Sequence, residues 1–320
     1  MKKKTQINMF KKMILLNFEE ANLAPELWNR IDHISKHRML LPEAELSLKK
    51  NLDADCLLLK LGMSADKELI KCMPNLKYIG MYGTGFGRID TKFASEAGIT
   101  VCNIADYATE GVAEFVIACV LENLRDLTHA KLQAFYGNYS EGAYTGSEIK
   151  GKKFGIIGLG HIGLRVAEIA ANVFNAKVSY YDRIKKDTTD NIVYSELKAL
   201  LKNSDIISLH LALNEGTNQI ISEELISKIK SNAIVINTSP MELFDIPALE
   251  KRLKKGDITF ILDHSDELSA ENAKLLSHYS NCIMYPPIGY TTRESTETKK
   301  EVFVSNLENF LKGDPTNKVN

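Results

Sequence analysis

Residues 153–182 read KFGIIGLGHIGLRVAEIAANVFNAKVSYYD: an apolar strand, a glycine turn, a helix, a second strand, and an acid at that strand's end. Gly158, Gly160 and Gly163 have the G-x-G-x-x-G spacing. A tight turn of this kind brings backbone N–H groups and a helix N-terminus against a pyrophosphate. Asp182 stands where a carboxylate accepts hydrogen bonds from an adenosine ribose and repels a phosphate on it. These residues predict NAD rather than NADP, although Arg183 next door works against that preference. A glycine-rich packing turn is the alternative, and the ordered strand, helix and acid weigh against it.

Composition bounds the rest. A chain of 320 residues is long enough for two domains. Its net charge of −1 gives no reason to expect nucleic acid or an anionic membrane as partner. The start, MKKKTQINMFKKMILLNF, has a basic head but an apolar run too short for a signal peptide, so it reads as a first strand. No stretch approaches the roughly eighteen apolar residues of a membrane span. Cys56, Cys72, Cys102, Cys119 and Cys282 are scattered, odd in number and never in C-x-x-C. That pattern predicts reduced thiols in a cytoplasmic protein and no metal site.

Between residues 13 and 103 the β-like runs MILLNF, HRMLLP, DCLLLKLG, LKYIGMYG and ITVCN alternate with amphipathic segments such as 24–36. A second series follows: GIIGLG, KVSYYD, IISLHLAL, AIVINTS, ITFILD and NCIMYPP. Such alternation predicts two α/β domains with parallel sheets. A helical run over 109–127, with Val112, Phe115, Val116, Cys119 and Val120 at helical spacing, connects them. The charged helix 294–311 has no strand of its own to follow and is expected to return to the first domain. The polar stretch 136–148 is expected to be an exposed arm.

Several of these stretches together resemble the D-isomer-specific 2-hydroxyacid dehydrogenases. GTGFGRID, at residues 83–90, is similar to the loop whose backbone amides hold a substrate carboxylate in that family, which implies a substrate role for Thr84 and Gly85. NIADYATEGVAE, at 103–114, resembles the family's hinge. EIKGKKFGIIGLGHIG, SDIISLHLALNEGTN, NAIVINTS and ITFILD follow in the family's order. The resemblance implies a central Rossmann-type NAD domain over 105–290, inserted in a discontinuous flavodoxin-like substrate domain over 1–104 and 291–320. Both would be doubly wound parallel-sheet α/β domains, usually in a homodimer acting on a small carboxylate substrate. It also implies cofactor contacts at Gly158, Gly160, His161, Ile162, Gly163, Asp182, His210, Thr238, Ser239, Asp263 and Gly289. Asp263 would hold the nicotinamide carboxamide. Thr238 and Ser239 could equally satisfy backbone groups in a local turn, and His161 would matter for its backbone.

The resemblance breaks at the chemistry. Hydride transfer to a 2-oxo acid needs a cation, a general acid or base, and a group that tunes it. Where the family has arginine after N-T-A, this chain has Pro240, and where the family has the histidine of P-H-x-G it has Pro287. The family's glutamate position falls on Leu268, with Glu267 one step away. Proline neither donates a side-chain hydrogen bond nor titrates, and loss of a positioned acid–base group typically costs about 10² to 10⁴ in rate. Replacement candidates are Glu267, His264 and Tyr107, with Glu242 and Tyr285 behind them. Strand alternation predicts that His264 points away if Asp263 faces the cofactor. Arg252, in EKRLKK, reads as part of a solvated helix face, and His210 as a structural residue. Three function classes stay open: an oxidoreductase with altered acid–base residues, an impaired NAD(H)-binding sensor or interaction protein, and a lyase or isomerase using NAD without net redox.

Overall fold

The computed structural model describes residues 8–46, 52–60 and 62–320. They divide into two units, one holding the described residues up to Tyr107 together with Arg293–Asn320, the other Ala108–Thr292.

The first unit is built on five parallel strands: β1 (Met13–Leu16), β2 (Arg38–Leu41), β3 (Cys56–Lys60), β4 (Tyr78–Tyr82) and β5 (Thr100–Cys102). Their order is β2-β1-β3-β4-β5, the flavodoxin-like order. All four residues of β1 and the first four of β3 are buried, as expected for a parallel sheet covered on both faces. One face packs aliphatic side chains including Ile14, Leu57, Leu59 and Ile79. The other is aromatic: Phe10 stacks on Phe310 at 5.7 Å, and Phe18 on Phe303 at 5.6 Å. Both partners come from the helix Arg293–Lys312, which returns to this unit as its sequence predicts. Arg30 fastens that helix through Glu301 and Glu308 at 2.7 and 2.8 Å. Arg30 lies on the helix Pro25–Ile34, which starts on a proline whose fixed φ suits the first turn and stops where Ser35 turns extended.

Seven parallel strands form the second sheet: β6 (Lys153–Ile157), β7 (Lys177–Tyr181), β8 (Ile192–Tyr194), β9 (Ile206–Leu209), β10 (Ala233–Asn237), β11 (Ile258–Leu262) and β12 (Cys282–Met284). The order β12-β11-β10-β9-β6-β7-β8 changes direction between β6 and β9. Ligands of doubly wound sheets bind at such a switch point, beyond the strands' carboxyl ends. Apolar layers centred on Phe154, Ile156 and Ile236 on one face and on Ile207, Val235 and Phe260 on the other bury the sheet. The predicted helix 109–127 is two helices, Thr109–Arg125 and Leu127–Phe135. Asp126, at φ 49°, breaks it in the left-handed conformation that aspartate tolerates. The segment after Phe135 is largely exposed, as expected of an arm. Both sheets are doubly wound and parallel, the predicted α/β class. All five cysteines are unpaired. Among the described residues no helix is long and apolar enough to cross a membrane.

Candidate functional site

The glycine turn lies at the switch point. A Cβ on Gly163 would meet the Gly158 carbonyl oxygen at 2.0 Å, and one on Gly158 would meet the His210 carbonyl at 2.6 Å. Gly158 also has φ +92°, which L side chains rarely adopt. These two glycines let β6, β9 and the helix His161–Glu168 close on one another. Gly160 caps that helix with no side chain and has nothing within 4 Å on its open side. A helix N-terminus with uncapped amides and bare backbone beside it fits a pyrophosphate.

Asp182, just past β7, accepts hydrogen bonds from the backbone N–H of Leu159 at 2.9 Å and of Ile184 at 3.3 Å. Lys186 stands 3.4 Å from the same carboxylate and also donates to the Leu159 carbonyl. Burial pushes the Asp182 carboxyl up, but these amides and the ammonium outweigh it and hold its pKa below the usual carboxylate value. A carboxylate ionised at neutral pH thus braces the turn and keeps acceptor capacity for ribose hydroxyls. Asp182→Ala is expected to weaken NADH binding about tenfold and to narrow its margin over NADPH, which fluorescence titration of both nucleotides measures.

His210 follows β9. Ser208 Oγ lies 2.8 Å from its Nε2 and Thr238 Oγ1 3.2 Å from its Nδ1. Burial pushes its pKa down to about 3, so it stays neutral at physiological pH. Ser239 Oγ accepts from the Leu211 N–H at 2.9 Å and donates to the Leu209 carbonyl at 3.2 Å. Thr238 donates to that same carbonyl. These hydroxyls tie the end of β10 to the end of β9, a link between strands rather than within a local turn.

The loops after β11 and β12 are joined in the same way. Asp263 is only 1% exposed, and its Oδ1 accepts from the backbone N–H of Ile288 at 3.1 Å. Its Oδ2 accepts from the Gly289 N–H at 3.2 Å. A Cβ on Gly289 would meet that oxygen at 2.6 Å. Ser265 Oγ donates to the Tyr285 carbonyl at 2.7 Å. Pro286 and Pro287 therefore belong to a turn held by Asp263 on one side and Tyr285 on the other.

His264 departs from expectation. Alternation would turn its ring away from Asp263, but the residue has φ 65° and ψ 37°, left-handed rather than extended. That dihedral pair ends the alternation and brings the ring back. Its Nε2 lies 3.6 Å from Asp263 Oδ2 and its Nδ1 4.0 Å from Glu267 Oε1. Tyr290 stacks on the imidazole at 5.5 Å and 18°. The imidazole thus stacks on Tyr290 with two carboxylates nearby, both beyond hydrogen-bond distance, next to the turn that carries Pro287.

The other candidates separate. Pro240 precedes the short turn Met241–Leu243, and Glu242 is exposed. Tyr285 donates to Glu122 Oε2 at 2.8 Å, and burial together with that bond pushes its pKa up. Arg252 corrects the solvated-face reading: its side chain is 9% exposed, ion-pairs with Asp257 at 3.0 Å and donates to the Ile229 carbonyl at 2.8 Å. Charge clusters in a sequence carry no sign of such tertiary burial. Tyr107, Thr84 and Gly85 belong to the first unit, Tyr107 buried and the other two exposed. Lys60 and Lys299, which no pattern singled out, share the aromatic edge of that unit with Tyr82 and Tyr107.

Comparison with known proteins agrees with this geometry. The NAD-binding domain of the D-isomer-specific 2-hydroxyacid dehydrogenases matches residues 117–289. A glyoxylate reductase of Thermofilum pendens is 33% identical over 282 residues, 85% of this chain and 83% of the relative. Among solved structures, an acyclic imino acid reductase in complex with NADPH and D-Arg superposes with TM-score 0.86 at 28% identity, covering 96% of this chain and all of that one. A D-lactate dehydrogenase from Aquifex aeolicus, complexed with NAD and lactic acid, gives 0.82 at 28% identity over 94% and 96%. A two-sheet α/β protein with a nucleotide-binding turn at its switch point is thereby placed. The chain belongs to the D-isomer-specific 2-hydroxyacid dehydrogenase family and is an NAD-binding oxidoreductase of that type.

Proposed function

We propose that this chain is an active NAD-dependent reductase of small 2-oxo acids, in which His264, oriented by Glu267, handles the proton. The observation that carries this reading is the left-handed backbone at His264, which sets its ring between Asp263 and Glu267. Gly158, Gly160 and Gly163 with the first amides of the helix would hold the pyrophosphate, and Asp182 the ribose. When bound, NADH supplies the hydride. His264 delivers a proton from its ring to the carbonyl oxygen, and Glu267 fixes the ring's direction. Asp263 holds the turn that carries Pro287 through Ile288 and Gly289, and His264 takes the acid–base role that Pro287 cannot fill. The backbone of Thr84 and Gly85 is the proposed holder of a substrate carboxylate.

The test follows NADH absorbance at high protein concentration with glyoxylate, hydroxypyruvate and pyruvate. Turnover by the unmodified protein supports the proposal. Turnover that appears only in a Pro240→Arg, Pro287→His double variant means an impaired nucleotide-binding relative instead. Conversion of substrate without change in absorbance means NAD used without net redox.

The family resemblance also supports a homodimer. Leu127, Leu132, Phe135, Tyr136 and Tyr139 are large apolar residues left exposed on and after the helix Leu127–Phe135, with Phe135 81% and Tyr139 83% exposed. Such a patch is best covered by a second copy of the chain. Phe135→Glu with Tyr139→Glu is expected to halve the sedimenting mass, and an unchanged mass removes this face from the interface.

A further inference from the structure

The loop that leaves β7 sends a lysine back to the glycine turn, and neither the three glycines nor Asp182 alone accounts for it. Tyr180, in β7 and 0% exposed, uses its phenol twice on one residue. The oxygen accepts from the Lys186 N–H at 2.9 Å, and the hydroxyl donates to the Lys186 carbonyl at 2.7 Å. A main chain held at both its donor and its acceptor fixes where the side chain starts. From there Lys186 Nζ donates to the Leu159 carbonyl and lies 3.4 Å from Asp182 Oδ2. That same Oδ2 accepts from the Leu159 N–H at 2.9 Å. Leu159, the middle residue of Gly158–Leu159–Gly160, is therefore gripped on both sides.

This grip fixes two consecutive peptide planes, because each peptide is flat and trans. Asp182 sets the plane between Gly158 and Leu159, and Lys186 the plane between Leu159 and Gly160. In the second plane the Gly160 N–H points opposite to the Leu159 carbonyl, hence away from the ammonium. Gly160 caps the helix His161–Glu168, whose first amides fit a pyrophosphate, and it has no side chain with which to hold that plane itself. The plain alternative is a surface ion pair, since the Lys186 side chain is 42% exposed and such pairs contribute little. That alternative explains neither the donation to a backbone carbonyl nor the buried phenol committed to the lysine's main chain.

We propose that Lys186, anchored by Tyr180, is a positioning residue for the pyrophosphate of the dinucleotide: it holds the Leu159–Gly160 peptide in the orientation that turns the Gly160 amide toward the phosphates. Lys186 acts through the turn and makes no phosphate contact itself. The inference needs nucleotide binding alone, so it stands or falls separately from the chemistry assigned to His264.

Fluorescence titration of the full-length protein with NADH, and displacement of NADH by ADP and by adenosine, need no turnover. Lys186→Met should weaken NADH and ADP by roughly 10- to 100-fold, the range expected for losing one hydrogen bond to a charged group. Adenosine, which reaches Asp182 but has no pyrophosphate, should bind that variant as it binds the parent. Lys186→Arg keeps a cationic donor and should recover part of the loss. Tyr180→Phe keeps the ring and every charge, and should show the same selective loss of ADP at smaller size. Thermal unfolding checks that each variant is folded. Unchanged ADP binding in Lys186→Met overturns the proposal. Equal losses for ADP and adenosine overturn it too, since the lysine would then serve Asp182 and the ribose. So does a loss in Lys186→Met with none in Tyr180→Phe, which would mean a cation attracting phosphate directly.

Discussion

His264→Asn is expected to lower kcat for 2-oxo acid reduction by roughly 10² to 10⁴ while leaving NADH affinity unchanged, as loss of a positioned acid–base group should. Asparagine is the informative replacement because it tolerates left-handed φ. The backbone at φ 65° can therefore persist, and with it the turn that Asp263 organises. What disappears is the titrating ring. Glu267→Gln keeps the side chain's size and removes its charge, so a milder loss, about tenfold, is expected if that carboxylate only orients the imidazole. Steady-state kinetics with separate kcat and KM distinguish the two. A His264→Asn enzyme with undiminished kcat removes the histidine from the chemistry, whatever its neighbours.

The fold was readable because parallel strands buried on both faces appear as continuous apolar runs, and MILL, CLLL and AIVIN could hardly be anything else. The strand that escaped, β8, is three residues long at a sheet edge, with Val193 57% exposed, so burial left no pattern to read. The glycine turn was readable in the same way, since steric exclusion at Gly158 and Gly163 dictates residue type. Orientation at His264 was not. Period-two alternation assumes extended dihedrals, and a single left-handed residue after β11 reverses the conclusion without changing the sequence pattern. The remaining signal was compositional: histidine is among the few non-glycine residues enriched at positive φ. Lys299 was hidden for another reason. In TETKKEVF it looks like any solvated helix position, and only the return of its helix to β4 places it over Tyr82 and Tyr107.

Lys299→Met should make the protein more stable at pH 7, by about 3 kcal/mol at most, the magnitude that follows when an ammonium's pKa falls from 10.5 to about 8 on folding. The sign follows from which state binds the proton more weakly. Below pH 8 both states carry the charge, and the folded one bears the full cost of withdrawing it from water beside Lys60. Between 8 and 10.5 the folded protein sheds the proton first, so the cost diminishes as pH rises. Above 10.5 neither state is protonated and the variant's advantage ends. Tyr82 stays neutral through this window because burial pushes its pKa up to about 12, and both it and Lys60 are common to the two proteins, so the difference isolates Lys299. Urea denaturation at a series of pH values measures it. A methionine variant no more stable at pH 7, or one whose gain persists undiminished at pH 10.5, would mean that the ammonium is not held against its solvation.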